Sequence, residues 1–135
     1  MKERLPVILN IYKIKEDSVI NIFGITLYHT AIEFADTEYA FGFHEESTSG
    51  IYDIKPMSYD EGRYVESIIL GYTDRRTFFN NIDKLKRIYS GQSYNILLKN
   101  CNHFTNNMSK VLFNKEIPNR YSRFLGIGET LRKLF

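Results

Sequence analysis

The order of two hydrophobic periodicities along the chain limits its fold most. Strand-like runs fill the first half, and runs with helical spacing fill the second. Residues 7–14 are β-branched and aromatic, as strands prefer. Residues 25–34 read as a second strand. Thr26, Tyr28, Thr30 and Ile32 fall on one face, and Leu27, His29, Ala31 and Glu33 on the other. Between these two runs, Asp17 and Ser18 precede apolar residues closed by Gly24, which predicts a short helical turn. Ala35-Asp36-Thr37-Glu38 reads as a hairpin turn into a strand over 39–43. Residues 44–50 read as an exposed loop, and 51–54 and 66–72 as further strands.

Helical spacing begins after Thr73, a suitable N-cap, with Asp74 in the first turn. Phe78, Ile82, Leu85 and Tyr89 recur at intervals of three and four, and Gly91 is the residue expected just past the end. A second helix starts at Cys101 or Asn102, buries Phe104, Met108, Val111 and Leu112, and closes at Asn114. Ile117-Pro118 marks a turn. Strands followed by helices predict an α+β class. With no internal repeat or linker, residues 1–118 read as one catalytic-sized domain. Residues 119–135 read as a tail that packs on it or mediates contacts.

A chain of 135 residues can bury a core without staples. Its formal net charge of +2, with no basic stripe, argues against nucleic acid as a partner. One cysteine leaves no internal disulfide and fits a reducing compartment. The apolar run after Arg4 is broken by Asn10 and Lys13, so no signal peptide is expected, and no run reaches membrane-spanning length.

The chemistry centres on Cys101. A thiolate is favoured at a helix start, where the dipole and free N–H groups stabilise negative charge. His29, mid-strand, can present an imidazole to a neighbouring helix end, and Cys–His is the minimal activated nucleophile. N–H groups at the helix start, that of Cys101 included, would hold an oxyanion. On residues alone the plain alternative stands beside this: a lone cysteine is usually buried and inert, and a lone strand histidine is usually structural. His103 lies two residues on and reads as a packing or hydrogen-bonding residue. A zinc site from His29, His44, Cys101 and His103 lacks any recognised ligand spacing, so neither metal nor cofactor is expected. Asp36, Asp53 and Asp60 are candidate orienters of His29, but turn roles suit them better. There is no phosphate-binding glycine loop and no nucleophile-elbow serine.

At these residues the chain resembles a known family. Tyr94-Asn95-Ile96-Leu97-Leu98-Lys99-Asn100-Cys101-Asn102-His103-Phe104-Thr105 resembles the catalytic-cysteine motif of the PPPDE peptidases, the desumoylating isopeptidases. Gly24-Ile25-Thr26-Leu27-Tyr28-His29-Thr30-Ala31-Ile32-Glu33 resembles their catalytic-histidine motif. Val7-Ile8-Leu9-Asn10-Ile11-Tyr12, Glu38-Tyr39-Ala40-Phe41-Gly42, Ser49-Gly50-Ile51-Tyr52, Leu70-Gly71-Tyr72-Thr73-Asp74 and Lys115-Glu116-Ile117-Pro118 follow in register. The likeness is nearest to the type 2 branch. Departures are Ala31 and Phe43 where the family usually has glycine, a shorter 55–65 segment, and Arg120-Tyr121 where a tryptophan is usual.

The resemblance implies a permuted papain-like α+β fold with a small antiparallel sheet and a helix starting at the cysteine. His precedes Cys here, the reverse of papain. It implies His29 as base, Cys101 as nucleophile, and ubiquitin or SUMO-like conjugates as partners, in the cytoplasm or the nucleus. A homodimer is known within the family. Tyr28, Tyr39, Phe41, Phe43, His44 and Asn100 are the candidates for the substrate groove, with core packing the plain alternative for the aromatics. A rival reading is a protein S-acyl thioesterase or lipid acyl hydrolase. The lecithin-retinol-acyltransferase-like proteins carry a similar Asn-Cys-Glu-His-Phe motif, and the tail mixes Phe124, Leu125, Ile127, Leu131, Leu134 and Phe135 with basic residues. A strap over the domain is preferred to membrane contact for that tail. A third reading is a non-catalytic module that binds a ubiquitin-like partner.

Overall fold

The structure is a computed structural model that describes residues 3–14, 27–95 and 99–122. Among them are five strands: β1 (Leu5–Ile14), β2 (Tyr28–Phe34), β3 (Thr37–Phe41), β4 (Ile51–Ile54) and β5 (Gly62–Thr73). They form one antiparallel sheet in the order β4-β3-β2-β1-β5. The helices are α1 (Arg75–Ile88), α2 (Cys101–Phe113) and the short α3 (Asn119–Ser122). The α+β class expected from the sequence is the one observed. The helical turn predicted over 17–24 and the tail beyond Ser122 lie outside the described residues.

Local chemistry explains the sheet. Val7, Leu9 and Ile11 alternate along β1 and are fully buried, as a two-residue period requires. The β2–β3 hairpin turns on Ala35 and Asp36, both left-handed at φ 49° and 64°, which matches the twist of its strands. Two register shifts between β1 and β5 bend that side of the sheet. β5 starts at Gly62, four residues before the start read from sequence, and β3 ends two residues before its predicted end.

The helix layer covers one face. Asp74, rather than Thr73, caps α1: its carboxylate accepts from Thr77 N at 2.8 Å, while Thr73 is still the last residue of β5. Phe78 stacks on Phe34 with centroids 4.1 Å apart, and Ile82 and Leu85 complete the buried stripe. Gly91 does not serve as the residue past the α1 cap. The helix ends on Tyr89 at φ −101°, and Gly91 opens a 3₁₀ turn, Gly91–Ser93. It is glycine because a Cβ there would come 2.3 Å from the His44 ring.

In α2 the predicted stripe is partly displaced. Phe104 and Met108 are buried, but Val111 is 48% exposed. Thr105, Asn106 and Ser109 occupy the buried face instead. Asn106 is satisfied there by Ile117 N at 2.9 Å. Asn114 closes the helix in the left-handed conformation, φ 53°. In α3, Arg120 pairs with Glu66 on β5 at 3.1 Å, and the Tyr121 hydroxyl donates to the same carboxylate. The described start of the tail thus folds back on the domain. No helix among the described residues is long and apolar enough to cross a membrane.

Candidate active site

The first turn of α2 is built by its own sequence. Asn100 Oδ1 accepts from Asn102 N at 2.9 Å and His103 N at 3.2 Å. His103 Nδ1 accepts from Asn100 N at 3.0 Å. This is a capping box with histidine in the glutamate position, so His103 is a hydrogen-bonding residue, as its spacing suggested. The chain reaches the cap through a bridge between Asn95 and Lys99, with both N–H···O bonds 2.9 Å long. Lys99 Nζ also donates to the Ile88 carbonyl at the end of α1.

Cys101 is the first residue of the helix and is 3% exposed. Its position depends on how β2 is paired. β3 pairs β2 only over Ile32, Glu33 and Phe34. The edge of β2 before that is therefore left to the helix. Thr30 N–H and Tyr28 C=O, two residues apart, point to the same edge. The Tyr28 carbonyl accepts from Asn102 Nδ2 at 3.0 Å, and the Thr30 N–H donates to the Cys101 sulfur. The Thr30 hydroxyl donates to Asn102 Oδ1 at 2.6 Å and meets Thr105 Oγ1 at 2.6 Å. The helix start thus stands in for a strand partner, and Asn102 bonds the residues on both sides of His29.

The sulfur therefore lies against the peptide N–H that follows His29 in β2. The sulfur is also within reach of the N–H groups of Cys101 and Asn102 and the hydroxyl of Tyr94. These donors favour a thiolate, but burial is the larger effect and pushes the thiol up. His29 is 5% exposed. Its imidazole stacks on Tyr59 at 4.0 Å and 8°, with Tyr12 tilted at 5.8 Å. Burial pushes it down to about 4. Both groups are therefore neutral near pH 7, as thiol and imidazole. His29 Nε2 is buried without a hydrogen-bond partner among the described residues. Burial first, then the nearby sulfur, push up the hydroxyls of Tyr52, to about 12, and Tyr59.

The other candidates hold varied places in the fold. Tyr39 and Phe41 belong to the hydrophobic core rather than a groove, because β3 turns them toward the helix layer. Tyr28 packs edge-on against Tyr121. Phe43 is 64% exposed. His44 is held in its own loop by Ser49 O at 2.8 Å and Glu46 N at 3.1 Å. Asn100 is the helix cap. Asp36 sits in the hairpin turn and Asp53 is exposed on β4, opposite Tyr39. Sequence reasoning missed Asn102, Tyr94, Tyr52 and Tyr59. The signal for Asn102 was its polarity at a buried helix position; the tyrosines gave none. Among the described residues no group of three or more His, Cys, Asp or Glu side chains could hold a metal.

A family model described as "PPPDE putative peptidase domain" matches residues 5–133. The chain belongs to the PPPDE peptidase family. Among curated relatives, a DeSI-like protein of Arabidopsis thaliana is 36% identical over 126 residues, covering 91% of this chain and 56% of its own length. A protein named desumoylating isopeptidase 1 homolog, from Caenorhabditis elegans, is 30% identical, covering 96% of this chain and 41% of its own. A DeSI-like protein of Schizosaccharomyces pombe is 34% identical, covering 92% and 66%. The chain thus spans 41 to 66% of the length of these relatives. The sheet and the cysteine-led helix described above are consistent with the fold of this PPPDE family.

Proposed function

We propose that this PPPDE chain is a cysteine isopeptidase that removes SUMO-like or ubiquitin-like modifiers, with Cys101 as nucleophile and His29 as base. One observation carries the reading: the sulfur lies at a helix start, on the peptide N–H that joins His29 to Thr30. The Caenorhabditis elegans relative's name supports the substrate class. The His29 Nε2, with no hydrogen-bond partner among the described residues, supports the role of base, since none of them competes for that nitrogen.

Because both groups rest neutral, the thiol proton passes to His29 as the sulfur attacks the isopeptide carbonyl. The imidazolium then returns that proton to the departing lysine amine. Water, activated by the same imidazole, releases the modifier from the thioester. The site fits a reaction in which charge appears only once substrate excludes water.

The test incubates the protein with a SUMO-conjugated and a ubiquitin-conjugated model protein, and with an S-palmitoyl peptide. Release of a modifier by the wild type, abolished in Cys101→Ala and in His29→Ala, is the expected result. Release that survives Cys101→Ala would defeat the proposal. Turnover of the thioester alone would move the substrate class to acyl groups.

A further inference from the structure

Near Cys101, one side chain has a hydroxyl with two contacts that the dyad does not explain. The Tyr94 hydroxyl lies within reach of both the backbone N–H and the sulfur of Cys101. Three features hold it there. Tyr94 ends the Gly91–Ser93 turn, with its N–H on Gly91 O at 3.3 Å. The Asn95–Lys99 bridge folds the chain back beside the cap. Phe41 packs against the ring at 5.0 Å and 55°, so a core residue braces the phenol. Burial keeps the hydroxyl protonated well beyond the usual tyrosine range, so it remains a donor.

We propose that Tyr94 is a catalytic residue, and that its hydroxyl and the Cys101 N–H together form the oxyanion hole. The proposal deepens the reading of Cys101 as an acyl acceptor and rests on it. As the S–C bond forms, the carbonyl π pair moves onto oxygen and the thiol proton moves to His29. Negative charge thus develops on an atom beside the sulfur. A hydroxyl that starts beside the sulfur, near the helix N–H, can donate to that oxygen as its charge grows. An interaction that grows toward the transition state lowers the barrier, whereas uniform binding does not. On collapse the C=O bond re-forms, the C–N bond breaks, and the amine leaves with the proton from His29.

Two small reagents separate this role from packing. Iodoacetamide alkylates sulfur without forming an oxyanion. p-Nitrophenyl acetate acylates it through a tetrahedral oxyanion and expels p-nitrophenolate. The chain has one cysteine, so mass spectrometry reads both reactions at Cys101 without ambiguity. In Tyr94→Phe we expect acylation at pH 7.5 to fall about 100-fold or more, the usual cost of one oxyanion donor, and alkylation to fall less than tenfold. The melting temperature should stay within a few degrees. Equal falls in both rates, or no fall, would overturn the proposal. So would a wild-type Cys101 that is acylated no faster, relative to alkylation, than free cysteine. Should Tyr94→Phe not fold, replacing Tyr94 by 3-fluorotyrosine keeps the ring and makes the hydroxyl a stronger donor. The ratio of acylation to alkylation should then rise, and an unchanged ratio would overturn the proposal. Neither reagent depends on the natural substrate. Failure of modifier release with the Tyr94 effect intact would therefore count against the isopeptidase reading alone.

Discussion

Acidification should remove stability from this protein through His29 above all, with half-buried His103 shifted in the same direction. His29 is 5% exposed, and burial lowers it from 6.5 to about 4. Above pH 6.5 neither the folded nor the unfolded chain protonates it, and its full contribution is present. As pH falls through 6.5 the unfolded chain takes up a proton that the fold refuses until about pH 4. The loss therefore accumulates across that window. At about 1.4 kcal/mol per pH unit it reaches about 3 kcal/mol. His103, also lowered by burial, and the carboxylates titrate in part of the same range, so the comparison must be differential. Urea unfolding of wild type and His29→Gln at pH 7.0 and 4.5 supplies it. Wild type should lose about 2–3 kcal/mol more than the variant over this interval. Parallel losses would mean that the imidazole is not shielded as described. Tyr59→Ala supplies a second arm. Removing the ring stacked at 4.0 Å opens one imidazole face. The His29 ring resonances should then titrate closer to 6.5, and the extra acid loss should shrink.

Asn102→Ala leaves the Tyr28 carbonyl without its side-chain donor and removes the Asn102 acceptor of the Thr30 hydroxyl, both at a buried junction. It should cost about 2–4 kcal/mol in urea unfolding, and a cost below about 1 kcal/mol would show that the helix start is held by other contacts. Gly91→Ala forces a methyl into the His44 ring and should cost about 1–3 kcal/mol. Combining it with His44→Ala should recover part of that loss, and strict additivity would refute the steric account.

Much of the fold was legible because each element's signal is local. The β1 run, the hairpin at Ala35-Asp36, the Phe78–Ile82–Leu85 stripe and the Asn114 stop depend on neighbours a few residues away. The misreadings have tertiary causes. Asp74 took the cap from Thr73 because β5 continues through Thr73. Gly91 looked like a helix stop, but its small size serves a ring from a distant loop. Val111 was assigned to the core on apolarity, whereas α2 buries a polar face that bonds to β2 and to Ile117. At the site, the sequence pointed to Cys101 and His29 as candidates and to a helix start at the cysteine. It could not point to Tyr94, Tyr52 or Tyr59. Tyrosine is common in this chain, and only the fold decides which of them come near the sulfur. Tyr39 and Phe41 were offered as groove walls for the same reason, since alternation along β3 names a face without saying what covers it.

The docking of Asn102 on β2 has a consequence for how far this domain can vary. Thr30 and Asn102 are 72 positions apart in the chain. Yet the seating of the Cys101 helix start on the His29 strand is set by one amide side chain and two neighbouring residues of β2. In a machine, the error between two parts grows with the number of joints connecting them, and here the joints are few. Changes along β5 do not enter that short path, whereas Tyr59, in the 42–61 segment, bears on the His29 ring itself. Surfaces away from the junction can therefore be remodelled while this joint stays fixed, and altering the joint would need a change at Asn102 or in the part of β2 that it bonds.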